Sequence, residues 1–464
     1  MRPGLSAAAV LASVLIASLV VVPAGAGKPA QPATPPNIDI SQRHTNESEE
    51  AIAVNPTNPK NIVMVSNVEG GAPGMLEGFS FDGGQTWTTK LIGNNDNRGD
   101  ACCDPSLSFD NYGNLFLAYL FDVEDTLPIA LSTDGGLSFN VIANIPGIAK
   151  RNGKGADEKG LFHFVDQPTI TAAAGEVWAV VNVGGPMGAF GAPVTGLGQV
   201  GAFSTREVVP GTNNCTYGDV AIGPGGEVMN VCTLTESGQG GGKLFVNVDP
   251  DGLGPAGFGD RVFVTDTHIG GFDFIPPQPD RSVDAEPGLA WGGPHNGRVY
   301  LVYTLEQKNE SDNTDILVRF SDDQGATWSA PVRVNDDSTV NSQFLPKISL
   351  DPTTGRFAVV WYDSRNDLGT GGAGDTDGLP NDDAQFWGAF SNDGQTFTNN
   401  LQISAGTSNS YDAHNRIDYG DYTGLSFYGG IAHPAWADNS NSTGNNPDGT
   451  LHQLDVYTAA VPAP

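Results

Sequence analysis

The chain has 464 residues, with 61 Gly, 32 Pro and only 16% charged residues. That length exceeds one simple hydrophobic core unless the architecture repeats, and glycine-punctuated apolar alternation without long helical periods points to an all-β protein of short strands. The formal net charge of −31 excludes nucleic acid and anionic membrane as partners; it suits cations, solubility outside the cell, or a salt-rich habitat.

The chain opens on a targeting segment. Arg2 precedes an apolar run from Leu5 to Val22, and Ala24-Gly25-Ala26 has the small residues of a cleavage site. The run is also just long enough for a membrane anchor, but the cleavage signature directly behind it favours removal of residues 1–26 and a secreted product, extracellular or periplasmic. Such a product is expected to be monomeric and free of membrane. Residues 27–36 (GKPAQPATPP) form an extended Pro-rich linker, and residues 37–464 a single domain.

Within that domain an eight-residue box recurs. Residues 80–87 read SFDGGQTW, 132–139 STDGGLSF and 321–328 SDDQGATW, while 391–397 read SNDGQTF, one residue shorter. Around the boxes a larger unit is visible: two apolar strands joined by a short turn, a variable loop, a third strand, the box, and a fourth strand. The first unit runs EAIAVNPTNPKNIVMVSNV and then MLEGFSFDGGQTWTTKLIG; the second runs DPSLSFDNYGNLFLAYLF and then PIALSTDGGLSFNVIANI. The third (DQPTITAAAGEVWAVVNV, then QVGAFSTREV) has no box, and the fourth (GDVAIGPGGEVMNVCTLTE, then KLFVNVDPDGLGPAGF) at most a degraded one. The fifth and sixth carry the boxes at 321–328 and 391–397. The seventh, DYTGLSFYGGIAHPAWADN and LDVYTAAV, stops one strand short, and the apolar run Asn37–Ser41 (NIDIS) ahead of the first unit can supply the missing strand. Four-stranded units closed by both termini describe a β-propeller of seven blades, or of six if a box-free unit is misread.

An aspartate that recurs in several blades cannot be one active site. Its carboxylate reads as the acceptor of backbone N–H groups inside a tight turn, with glycines supplying positive φ and Trp87 burying the turn against the blade. The four cysteines divide into a vicinal pair, Cys102 and Cys103, whose pairing stays open, and Cys215 with Cys232. The latter face each other across a hairpin turning at Gly223–Gly226, which suits a cross-strand disulfide.

The pattern SxDxGxTW resembles the Asp-box, or bacterial neuraminidase repeat, of sialidases and sialidase-like propellers, and phrases such as EAIAVNPTNPKNIV, DPSLSFDNYGN and FLPKISLDPTTGRFAVVWYDSR are similar to secreted bacterial members. The resemblance covers nearly the whole chain after residue 36. It implies a glycan-related role. An active member would clamp a carboxylate with three arginines and use a tyrosine nucleophile paired with a glutamate, with an aspartate as acid/base. The first arginine of that family lies in an FRIP-like motif at the first blade, where this chain reads NESEEAIAV. Substitutes are sought among Arg98, Arg281, Arg365 and Arg416, with Tyr419 as the tyrosine and Glu286 and Asp104 as the acids. Two readings stand: a non-catalytic propeller that binds a glycan or an extracellular protein, and an exo-acting glycoside hydrolase of sialidase type.

Strand order places the short first turns and the boxes on one face and the long loops on the other. The long loops include 184–198, 236–242, 307–313, 365–383 and 439–449. The loop face is the expected binding face. Six first strands begin near an acid: Glu49 or Glu50, Asp104, Asp166, Asp219, Glu286 and Asp421. These acids either accept hydrogen bonds from the neighbouring blade or ring the channel mouth. The 365–383 loop places Asp375, Asp377, Asp382 and Asp383, with Asp367, among glycines, a hard oxygen set suited to Ca²⁺. No other cofactor is implied.

Overall fold

The short apolar runs become strands, and the strands gather into seven antiparallel blades on a four-strand plan, blades 3 and 7 carrying one further short strand each, and every blade but the last is built from consecutive segments. The chain is thus a seven-bladed β-propeller, described here from a computed structural model. It describes residues 1, 33–69, 73–121, 126–151, 161–183, 185–236, 238–292, 297–308 and 310–464, without the side chains of 148–151, 161–164 and 217. The targeting segment expected over residues 1–26 lies outside the described residues apart from Met1. Among the described residues no helix is long and apolar enough to cross a membrane.

The first strands of the blades line the axis: Asn46–Val54, Ser106–Phe109, Asp166–Ala173, Cys215–Ile222, Gly288–Trp291, Gln343–Leu350 and Gly424–Tyr428. Together they enclose a central cavity of about 360 Å³. The second strands are the most apolar because a neighbouring blade covers each of their faces; Phe357–Asp363 is buried along its whole length. Blade 7 takes its fourth strand from the other end of the chain: Asn37–Asp39 pairs antiparallel with Asp455–Ala459, and Ser41 Oγ donates to Asp455 Oδ1 at 2.8 Å.

Adjacent first strands are splayed around the axis, so no backbone ladder joins them. Side chains stitch them instead. Ser106 Oγ accepts from Ile170 N (3.0 Å) and Ser108 Oγ from Ala172 N (2.9 Å), joining blades 2 and 3. Asp219 Oδ2 accepts from Leu289 N (2.8 Å) between blades 4 and 5, and Ser426 Oγ from Val54 N (3.0 Å) between blades 7 and 1. Each bond satisfies an N–H that the sheet leaves over.

The four boxes fold alike on the face away from the long loops. In the first, Ser80 Oγ donates to Asp82 Oδ1 (2.8 Å), Thr86 N donates to the same oxygen (3.0 Å), and Thr86 Oγ1 donates to Oδ2 (2.6 Å). Trp87 Nε1 closes the turn on Gly84 O (3.0 Å). The box at 321–328 repeats these bonds. The shorter box is looser: Ser391 Oγ reaches Asp393 Oδ1 only at 3.4 Å. Each of these aspartates ties a turn.

Blade 3 corrects the sequence reading. Residues 184–198, expected as a long loop, contain its third strand, Gly188–Gly196, and the segments Gln199–Val200 and Glu207–Val208 both pair outside it. Gly, Ala and Pro alternate there without the apolar contrast that marks a half-buried strand. Three links between blades on the loop face carry paired strands of their own: Asn94–Asp96 with Gly99–Asp100, Ile148–Arg151 with Leu161–Phe164, and Asp273–Ile275 with Gln278–Val283. Cys215 and Cys232 form the expected disulfide, and Cys102 bonds its neighbour Cys103.

Candidate functional site: the acid-ringed channel mouth

Where each first strand drops from the loop face into the channel, the backbone kinks. Glu49, Asp104, Gln167, Glu286 and Leu345 hold φ between 45° and 56°, and the last four precede Pro105, Pro168, Pro287 and Pro346. Left-handed backbone at a non-glycine residue costs about 1–3 kcal/mol and collects at functional sites. Here it recurs at five equivalent positions, where Glu49, Asp104, Gln167 and Glu286 carry polar side chains and Leu345 packs into the apolar core.

Most of those side chains are acidic, and their charges are felt mutually. Burial first, then Asp421 and Asp104, hold the Glu49 carboxyl well above its usual range. Asp104 is pushed up to about 7 by burial and by Asp166 and Asp421, and Asp166 to about 6 by burial and Asp421. Glu286 is raised by burial, Asp284 and Asp421, and Asp284 reaches about 7 through burial. The expectation of neighbour-blade bonding and that of a ring both describe this rim: Asp104 Oδ2 accepts from Gln167 N of the next blade at 3.2 Å, and Glu49 Oε1 from Asp421 N at 3.1 Å.

The hairpin Asp273–Val283 reaches over the face from the blade 4–5 link to the blade 6–7 link. Gln278 anchors it, donating to Gly420 O and accepting from Tyr419 N, both at 2.9 Å. Backbone N–H groups of Asp280 and Arg281 share Asp418 Oδ2, each at 2.8 Å. Arg281 then pairs with Asp421 through both Nε (2.6 Å) and a terminal nitrogen. Its charge acts on Glu49, Glu69 and Asp166 as well, so one guanidinium serves acids from blades 1, 3 and 7.

The other predicted arginines lie elsewhere. Arg365 is buried against Trp387 and bonds Asp336, Asp363 and Asn400 at 2.7–2.8 Å. Arg98 pairs with Asp96 on the blade 1–2 hairpin, and Arg416 is exposed in the blade 6–7 link. The guanidiniums of Arg365 and Arg98 are thus each engaged by carboxylates close in sequence or space. Tyr419 is fully buried, its ring 4.2 Å from that of Tyr362 and 6.0 Å from that of Phe344: a core residue, where the sequence suggested a nucleophile. Three residues further on, Tyr422 lines the channel. Burial and the carboxylates of Asp104, Glu49, Asp421 and Glu286 hold its phenol protonated, which makes it a hydrogen-bond donor rather than a nucleophile. Sequence reasoning passed over Tyr422 and Asp284; their signal was proximity to the strand starts, two residues from Gly424 and four from Gly288.

On the rim of the same face, Asp367, Asp382 and Asp383 bring carboxylate oxygens within 4.8 Å of one another, and Asp375, Asp377 and Asp383 form a second such group. Asp382 Oδ1 is shut away from solvent with no hydrogen-bond partner among the described residues, and burial with Asp377 and Asp383 pushes its carboxyl up to about 7. An orphaned oxygen among like charges fits a hard divalent cation.

No protein-family model and no curated protein matches the chain. Solved structures do. A mutant α-L-arabinofuranosidase of Fusarium graminearum in complex with an iminosugar inhibitor aligns over 70% of this chain and 92% of its own, at 13% identity and a TM-score of 0.45. A Dyadobacter fermentans protein of unknown function aligns over 93% and 99%, at 11% identity and 0.49. The endosialidase of phage phi92 aligns over 93% and 69%, at 10% identity and 0.47. At these scores the likenesses say nothing about this chain's site.

Proposed function

We propose that the protein is an exported glycan-binding propeller whose ligand sits at the acid-ringed mouth, on the face opposite the boxes. The carrying observation is the combination of a channel mouth lined by carboxyls and a protonated phenol with large rings exposed on the same face. Phe272 and Phe274 flank the start of the crossing hairpin at 61% and 47% exposure, and Tyr411 stands at 59% beside the hairpin's tip, where Ser410 Oγ donates to Pro277 O. Carboxylates accept from sugar hydroxyls, and exposed rings stack on the apolar faces of sugars. Retention of the full chain on a panel of immobilised oligosaccharides tests this. Phe274→Ala and Tyr411→Ala are expected to weaken retention about tenfold each; retention by no saccharide would sink the reading.

Hydrolysis is the second reading, favoured by Asp104, whose carboxyl burial, Asp166 and Asp421 push up to about 7, rather than by a tyrosine. A carboxyl poised near neutral pH is suited to serve as a general acid or base. Release of chromophore from a panel of aryl glycosides, lost in Asp104→Asn, would replace binding with turnover. Ca²⁺ at the 365–383 loop would shape the rim of the same face.

A further inference from the structure

The mouth has a chemical sign. Glu286 is nine-tenths buried and lines the central cavity, and among the described residues its carboxyl group has no hydrogen-bond partner. Around it stand Asp284, Asp421 and Glu49, whose charges raise it, against the single ammonium of Lys347. The guanidinium of Arg281 is already held by Asp421. An anionic sugar therefore meets carboxylates without a guanidinium to spare.

A metal ion fits this place poorly. Metal ligands must converge on one point, and among the described residues the groups able to do so belong to the 365–383 loop and include none of the mouth acids. Spread-out carboxylates around a roomy cavity suit a larger cation whose charge sits on an organic frame.

We infer that the mouth recognises an amine-bearing sugar, with the unpartnered carboxylate of Glu286 as the counter-ion of its ammonium group. This rests on the glycan-binding reading and narrows it to a ligand class. The arriving ammonium displaces the Glu286 proton to solvent and donates to the carboxylate so formed, Tyr422 offers its O–H to a neighbouring hydroxyl, and Lys347 competes with the ligand for Glu286.

The test is calorimetric titration of the full chain with a glucosamine tetramer, its fully N-acetylated counterpart and sialyllactose. The free-amine tetramer is expected to bind at least about tenfold more tightly than the acetylated one, with sialyllactose weakest. Glu286→Gln is expected to reduce the amine preference to about twofold or less. Should that variant fail to fold, Lys347→Gln reads the same carboxylate from the other side: losing the competing charge is expected to tighten amine binding about threefold, and unchanged or weaker binding overturns the inference. Equal binding of the free and acetylated tetramers, or a preference for sialyllactose, overturns the inference and leaves the glycan reading standing. Failure of all three to bind overturns the inference, and only retention of no member of the saccharide panel overturns the glycan reading with it.

Discussion

Asp82 sits in the open with its oxygens saturated by Ser80, Gln85 and Thr86, and these bonds hold its carboxyl down to about 2. A depressed folded pKa contributes stability above the unfolded value, about 3.9, that is lost as pH falls toward 2. Asp82→Ala is therefore expected to lower the urea midpoint at pH 7, with the difference shrinking between pH 4 and pH 2. Glu50 is the opposite case. It is buried in the first strand of blade 1 with no hydrogen-bond partner on either oxygen among the described residues, and burial raises it to about 8. Its neutral form contributes fully below about 4.3, and that contribution is lost as pH rises through 8. Glu50→Gln keeps the volume without the charge and is expected to flatten the fall in midpoint between pH 5 and 8; an unchanged profile would show that another group carries the fall. The box role was legible because the aspartate recurs and one residue type explains all copies. The Tyr419 assignment misled because sequence does not say which way a strand start twists: Tyr419 enters the blade 6–7 core, and Tyr422, three residues on, reaches the channel.

Elements repeat this contrast between what periodicity shows and what packing decides. The hairpin Cys215–Thr235 was legible from its Gly-Pro-Gly-Gly turn and flanking cysteines, and its disulfide spans a separation of 17 residues. A loop of that length corresponds to about 3 kcal/mol through the unfolded state, so the double variant Cys215→Ser, Cys232→Ser is expected to lose roughly that amount by urea denaturation. The third strand of blade 3 was hidden because Gly188, Ala189, Gly191 and Ala192 offer no polar–apolar contrast; small residues fit where Trp178 fills the space, only 2.5 Å from the position a Cβ on Gly191 would take. The crossing hairpin was unreadable for another reason: its partners, Asp418 to Asp421, lie about 140 residues away. The 365–383 loop supports a direct trial. Millimolar Ca²⁺ is expected to raise the thermal midpoint, a chelator to reverse it, and Asp383→Asn, which removes the carboxylate common to both groups, to abolish the response.

At the scale of the whole molecule, seven blades were countable from the sequence because each repeats the same strand–turn grammar, whereas the mouth belongs to no single repeat and appears only when the ring is assembled. That ring depends on one short strand. Removing residues 33–41 is expected to expose the Asp455–Ala459 edge, lower the thermal midpoint, and turn a monodisperse elution into aggregates; an unchanged elution would mean that the edge is protected without it. The same pairing also sets a timetable. Asn37 precedes the strands of the six other blades and Ala459 follows them, so blade 7 stays unlatched until all six have been made.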